Sequence, residues 1–122
     1  MTPVQTTLLT YYLPDHSDPQ TRRYLFGYTV RLSNRGDLAV RVLTRCWTVT
    51  DALGRVQTLR GTGVAGERHV ILPGADFEYS SVCTLTTPSG FLEGVFELLD
   101  EADTPLTAEV SQVPLTQPSS FA

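Results

Sequence analysis

Three glycines flanked by arginines form the most distinctive chemical pattern of this sequence. Gly61, Gly63 and Gly66 have the spacing G-x-G-x-x-G, which in dinucleotide-binding proteins joins a strand to a helix. Successive amide groups of a glycine-rich turn can bind an anion even without a helix, and arginine side chains contact phosphate in a bidentate manner. We therefore hypothesise that phosphate, pyrophosphate or a nucleotide tail binds at Arg60, Gly61, Gly63, Gly66 and Arg68.

The residues after the last glycine favour a different explanation of the same pattern. Residues 69–72 form a short apolar segment that stops at Pro73 and Gly74, which predicts a strand and leaves no place for a helix. In that setting the glycines form a connection between two strands, where they permit positive φ and close approach of the backbone. Outside a strand–helix unit the pattern indicates nucleotide binding only weakly, so both interpretations stay open.

Side chains that bind metals or act as nucleophiles are few and scattered. His16, His69, Cys46 and Cys83 show neither the C-x-x-C nor the H-x-x-x-H spacing of a zinc site. Nothing in the sequence pairs a cysteine or a serine with a histidine that could act as its base. We therefore predict no metal site, no catalytic residues and no cofactor, and a protein that is not an enzyme.

The spacing of apolar residues predicts the strands that must position these groups. Between residues 24 and 33 every second side chain is apolar, so one face of a strand is apolar and the other is mostly polar. Other segments with this period, separated by turns, predict an all-β antiparallel sandwich of about seven to eight strands. In segment 39–49 two alternate sets compete for the inward face, which a β-bulge or burial on both faces would explain: Val40, Val42 and Cys46 in one set, and Leu43, Trp47 and Val49 in the other.

Length and charge limit the classes of function. A chain of 122 residues predicts one domain, over residues 1–115, and a flexible tail over 116–122. All nine basic residues are arginines between Arg22 and Arg68, and the net charge of −4 argues against non-specific binding to nucleic acid. The sequence contains neither an apolar run of about 18 residues nor a secretory signal, so we expect no membrane association, a cytoplasmic location and two buried, reduced thiols.

The order of several motifs resembles the ApaG family. The motifs begin with YLPDHSDP at residues 12–19 and RYLFGY at residues 23–28, and continue with TRCWTVTDA at residues 44–52. The glycine pattern follows, and after it come LPG, FEY and, at residues 83–90, CTLTTPSG. The resemblance extends over about residues 4–115, which is nearly the whole chain.

The resemblance implies an immunoglobulin- or fibronectin-type-III-like β-sandwich, a role in binding other proteins, and a genetic link to cobalt and magnesium tolerance. This sequence has Cys46 where members usually have histidine, which weakens any family-wide metal site at that position. We expect an ApaG-type module that binds an unknown protein partner and that forms a homodimer through an edge strand or a sheet face. Tyr11 and Tyr12 point in opposite directions in a strand, so one of them is a candidate surface aromatic. The alternative function is phosphate or nucleotide binding at residues 61–66.

Overall fold

The computed structural model describes residues 3–64 and 66–117, and most of them lie in β-strands. Two short 3₁₀ turns, Pro14–His16 and Pro19–Thr21, connect the first two strands. The eight strands of the described residues are β1 (Val4–Tyr12), β2 (Tyr24–Asn34), β3 (Val40–Asp51), β4 (Val56–Thr62), β5 (Val70–Ile71), β6 (Asp76–Leu85), β7 (Ser89–Asp100) and β8 (Pro105–Thr116).

The strands form two sheets in which all pairs are antiparallel. The smaller sheet has the order β1-β2-β6. The larger sheet has the order β4-β3-β7-β8, and the short β5 pairs with β3 on the same edge as β4. This arrangement confirms the predicted all-β antiparallel sandwich.

The two sheets meet along one side of the sandwich and leave the other side open. Along the closed side, the hydroxyl groups of Thr6 and Thr10 in β1 donate hydrogen bonds of 2.7 and 3.3 Å to the carbonyl groups of Glu109 and Pro114 in β8. Along the open side, β4 is the edge of the larger sheet, and none of its seven residues is buried. The smaller sheet has only three strands, so it has none to cover β4.

The alternation in β2 places its apolar face in the core, as predicted. Phe26 and Val30 are almost fully buried. The ring of Tyr28 lies 5.0 Å from that of Trp47 in the other sheet, and Trp47 in turn lies 5.8 Å from Phe96. Full burial of one such side chain stabilises the fold by about 1.5–3 kcal/mol, so these aromatic contacts within and between the sheets are a major part of the core.

A β-bulge resolves the ambiguous face of β3. The register against β7 shifts between Val42 and Thr44, which makes Leu43 an additional residue on the β3 side. Up to Val42 the even-numbered side chains of β3 are buried, and beyond the bulge odd-numbered ones such as Trp47 are buried instead. Of the two explanations left open by the sequence, the structure has the bulge, and it lies where the neighbour of β3 changes from β4 to β5.

The carboxyl-terminal part of the described chain belongs to the sandwich. β8 continues to Thr116, and the amide of Gln117 donates a hydrogen bond of 3.0 Å to the carbonyl group of Pro88. The rest of the predicted tail, residues 118–122, lies outside the described residues. Across residues 3–64 and 66–117, no helix has the length and hydrophobicity needed to cross a membrane.

Candidate functional site

The glycine pattern lies where β4 ends and the chain returns to the edge of β3. Gly61 belongs to β4 and pairs with Arg45 of β3. Val64 and Glu67 then close a tight turn through reciprocal backbone hydrogen bonds of 2.8 and 2.9 Å. β5 follows this turn, so the glycines join two strands, and the prediction that no helix begins after Gly66 is confirmed.

Each glycine of the pattern has a steric reason within the fold. Gly63 has a φ of 51°, and a side chain there would overlap the carbonyl group of Glu67. Gly66 has a φ of 81° in the turn. A Cβ atom at Gly61 would overlap the guanidinium group of Arg45. The fold therefore accounts for all three glycines without a ligand, and it does so most strictly for Gly63, where a side chain would meet the backbone.

The polar backbone groups around Gly63 are largely engaged with other parts of this chain. The amides of Gly63, Val64 and Glu67 all donate to backbone carbonyl groups. The carbonyl oxygens of Thr62 and Gly63 accept hydrogen bonds of 3.1 and 2.9 Å from Nη1 of Arg45. The loop thus binds a guanidinium group of its own chain through carbonyl oxygens. Sequence analysis did not identify Arg45, since only the register of β3 and β4 places it over Gly61.

The two arginines of the hypothesised anion site differ in their placement. Arg60 precedes Gly61 in β4, so its side chain is on the outer face of the sheet, opposite to the face on which Arg45 covers Gly61. Arg68 is exposed between the tight turn and β5. Anion binding at Arg60, Gly61, Gly63, Gly66 and Arg68 stays a prediction.

The outer face of the smaller sheet carries an exposed apolar surface, which we name the outer patch and define by Leu9, Tyr11, Thr29, Ser80 and Val82. Leu9, Val82 and Tyr11 are 66%, 55% and 42% exposed. The register places these residues in two adjacent rows across the sheet. One row is Tyr11–Gly27–Val82, and the other is Leu9–Thr29–Ser80.

Contacts within the outer patch reduce its polarity. A side chain at Gly27 would overlap the ring of Tyr11, so this glycine lets the aromatic ring lie flat across β2. The hydroxyl groups of Thr29 and Ser80 form a hydrogen bond of 2.7 Å with each other, so part of their hydrogen-bonding capacity is satisfied within the patch. Beyond Ser80, the guanidinium of Arg31 lies 2.9 Å from the carboxylate of Glu78. The patch is therefore an apolar centre with a charged rim on one side, which is the composition of many protein interfaces.

The two cysteines lie in different environments and form no disulfide. Cys83 is buried between the sheets, and this burial raises the pKa of its thiol to about 11. Cys46 is only half-buried, on the outer face of the larger sheet in a shallow depression beside Glu93 and Glu109. The expectation of two buried thiols is wrong for Cys46, because the bulge at Leu43 shifts the inward face to odd-numbered residues.

Potential metal ligands are dispersed over the fold. Among residues 3–64 and 66–117, no three histidine, cysteine, aspartate or glutamate side chains come together as a metal site would require. The carboxylate of Asp18 instead accepts a hydrogen bond of 3.2 Å from the amide of Gln20 and caps a 3₁₀ turn. His69 stacks on Phe77 with a ring separation of 4.5 Å. These side chains therefore have structural contacts that do not depend on a metal.

Comparison with known proteins points to one family. The family model described as the ApaG domain matches residues 14–100. The chain is similar to Protein ApaG of Bordetella pertussis, with 39% identity over 110 residues that cover 90% of this chain and 84% of that protein. It is also similar to Protein ApaG of Paramagnetospirillum magneticum, with 43% identity over 98 residues that cover 80% of this chain and 75% of that protein. A crystal structure of a Bordetella pertussis protein described as ApaA has a TM-score of 0.93 and 35% identity, and the match covers 98% of this chain and 97% of that one.

Proposed function

The chain belongs to the ApaG domain family, and from this premise we propose that it is a non-enzymatic module that binds another protein through the outer patch. The observation that carries the proposal is the exposed row formed by Tyr11 and Val82 around Gly27. Exposed apolar patches of this kind on a protein surface mark interaction sites, since their burial by a partner removes them from water.

The chemistry of the outer patch indicates what such a partner presents. Leu9 and Val82 offer aliphatic surface, and Tyr11 offers a flat aromatic ring with a hydroxyl group. A partner surface that is apolar at its centre therefore fits best. Arg31 and Glu78 already form an ion pair at the rim, so they give orientation more than affinity.

Variants of the outer patch test the proposal. Tagged protein is used to isolate partners from an extract of the source organism, and each candidate is then purified and titrated against the variants by calorimetry. We expect Tyr11→Ser and Val82→Ser to weaken binding at least about tenfold, because interface aromatics and their neighbours carry most of the binding energy. Leu72→Ser is the matched control, since Leu72 is 62% exposed outside the patch.

The same titration separates protein binding from anion binding. The double variant Arg60→Ala/Arg68→Ala removes the two arginines of the glycine loop and leaves the outer patch intact. We expect it to bind the partner as the wild type does. If the partner is retained by the Tyr11 and Val82 variants but lost by the arginine double variant, the proposal is wrong and the loop is the binding site.

A further inference from the structure

β4 presents a second surface, and we propose that it is the site at which two copies of this chain associate. In this dimer, β4 of one copy pairs in antiparallel orientation with β4 of the second copy and joins the two larger sheets into one. Six of the seven residues of β4 are exposed and Gly61 is half-buried, and β4 is the outermost strand on the open side of the sandwich. The inference is independent of the outer patch, which belongs to the smaller sheet.

The backbone of β4 has hydrogen-bonding groups directed away from β3. At the two ends of the β3–β4 pair, the amide of Asp51 donates to Arg55 and the amide of Gly63 donates to Leu43, so odd-numbered residues of the β4 segment face β3. Antiparallel pairs alternate between bonded and non-bonded positions. With the observed register, the even-numbered residues therefore direct their N–H and C=O groups to the free edge: Val56, Thr58, Arg60 and Thr62. Among these groups, the carbonyl oxygen of Thr62 already accepts a hydrogen bond from Nη1 of Arg45.

The other edges of the two sheets carry features that oppose pairing with a second chain. β8 contains Pro105 and Pro114, and side chains of β1 donate hydrogen bonds to carbonyl groups of β8. β6 carries two charged side chains, Asp76 and Glu78, and charges on an edge strand hinder pairing with another strand. β4 has no proline and a single charged residue, Arg60. It is therefore the edge on which a second strand is least hindered.

The charge of Arg60 and the pairing of Leu59 together favour one register for two copies of β4. The N–H and C=O groups at the free edge belong to even-numbered residues. Two copies of β4 can therefore hydrogen-bond only in a register that pairs even-numbered residues with even-numbered residues. Pairing Arg60 with Arg60 of the second copy would oppose like charges, which destabilises a sheet. Pairing Thr58 with Thr58 would place Leu59 opposite Gln57. Pairing Thr58 with Arg60 of the second copy avoids both conflicts. Because the dimer has two-fold symmetry, Arg60 of the first copy then pairs with Thr58 of the second.

This register places an apolar side chain on the two-fold axis. Leu59 faces Leu59 of the second copy at a non-hydrogen-bonded position, where Cβ atoms lie about 4.5–5.5 Å apart. Within one chain, Leu59 pairs with Trp47, and it is 39% exposed whereas Trp47 is 2% exposed. The dimer thus extends the apolar row that begins at Trp47 across the axis, and it removes from water a leucine that no strand of the smaller sheet covers.

A proline substitution tests the pairing without breaking the fold. The amide of Thr58 points to the free edge, so Thr58→Pro removes a donor for the second copy and leaves the β3–β4 bonds intact. We expect wild-type protein to sediment as a concentration-dependent dimer over the micromolar range. Thr58→Pro should raise the dissociation constant of the dimer at least about tenfold while the thermal unfolding midpoint stays near that of the wild type. Thr84→Pro is the matched control, because its amide faces the free edge of β6.

Cysteine cross-linking tests the register. In a Cys46→Ser background, Leu59→Cys should form a disulfide-linked dimer under mild oxidation, because the two new thiols meet on the axis. Gln57→Cys lies on the same face of β4 but faces Gly61 of the second copy, so it should stay monomeric on a non-reducing gel. Addition of Thr58→Pro should abolish the cross-link at Leu59→Cys, which excludes random collision as its cause.

The outcomes distinguish this inference from the proposed function. A wild type that stays monomeric over the micromolar range overturns β4 pairing and leaves partner binding by the outer patch untouched. A dimer that survives Thr58→Pro, or that is lost with Thr84→Pro or Tyr11→Ser instead, places the contact elsewhere and also overturns it. Equal cross-linking of Gln57→Cys and Leu59→Cys contradicts the register.

Discussion

The indole Nε1 of Trp47 donates a hydrogen bond of 3.1 Å to the hydroxyl group of Tyr79, and this bond connects the two sheets. Tyr79→Phe would leave the indole N–H of the buried Trp47 without its acceptor. We expect the free energy of unfolding to fall by about 1–3 kcal/mol, which is the cost of an unpaired buried polar group. Urea denaturation measures it, and Tyr24→Phe, a half-buried tyrosine in β2, is the matched control. Equal losses in the two variants would contradict this role of the bond.

Alkaline pH should destabilise the fold. Burial raises the pKa of Tyr79 to about 12 and that of Cys83 to about 11, from ordinary values of 10.0 and 9.0. The folded state therefore favours the neutral forms, and their contribution is complete below the ordinary values and is lost as the pH rises to the folded-state values. We expect the free energy of unfolding to decrease between about pH 9 and pH 12. Tyr79→Phe should show a shallower decrease above pH 10, and an unchanged slope would argue against this assignment.

The two thiols should differ in their reaction with a thiol reagent. Cys46 is half-buried on an outer face, whereas Cys83 lies inside the sandwich. At neutral pH we expect one thiol to react in the native protein and the second only after unfolding, because modification requires both access and the thiolate form. Cys46→Ser should remove the fast phase, and Cys83→Ser should preserve it. A fast phase that persists in Cys46→Ser would show that Cys83 is accessible.

Asn34 stabilises the end of β2, and replacing its amide with a carboxylate should make stability depend on pH. Its Nδ2 donates hydrogen bonds of 2.9 and 3.0 Å to the carbonyl groups of Leu38 and Ile71, and the side chain is 1% exposed. In Asn34→Asp a buried carboxylate would face both carbonyl oxygens, so we expect a loss of about 3 kcal/mol at neutral pH. Stability should partly recover as the pH falls below about 5, because protonation removes the charge. Asn34→Ala is the control that loses stability without this recovery.

Two glycines of one loop should respond differently to alanine. Gly63 has both a φ of 51° and a carbonyl group where a side chain would lie, whereas Gly66 has a φ of 81° and open space around its Cβ position. We expect Gly66→Ala to cost about 1 kcal/mol, the strain of a left-handed backbone. Gly63→Ala should cost more than about 2 kcal/mol, since the carbonyl group of Glu67 must also move. Thermal and urea unfolding measure both, and equal losses would contradict the crowding at Gly63.

Parts of the fold that depend on local alternation were predictable. β2 has an apolar residue at every second position from Tyr24 to Leu32, and the residues of this face, such as Phe26 and Val30, are buried. β3 could be predicted only as a choice between two faces. A bulge changes the phase of alternation, and the position of the additional residue, Leu43, depends on pairing with β7, which is distant in sequence.

The surfaces proposed for binding were only partly predictable. The adjacent tyrosines indicated one exposed aromatic, and the structure identifies it as Tyr11, since Tyr12 packs on Phe26 with a ring separation of 5.3 Å. The closeness of Tyr11 to Val82 could not be predicted, because these residues come together only when β1 and β6 both pair with β2. The same holds for Arg45, which lies over Gly61 through the β3–β4 register.

By itself, the sequence determined the all-β class, most of the strands and the strand-to-strand setting of the glycines, because each depends on the residue types of a few consecutive positions. Tertiary structure alone decided which edges are open, which cysteine is only half-buried and which cation covers the glycine loop. These features depend on strand order and register. Strand order and register both result from burying the apolar faces of distant strands against each other. The spacing of apolar residues within one strand does not determine which other strand it will pair with.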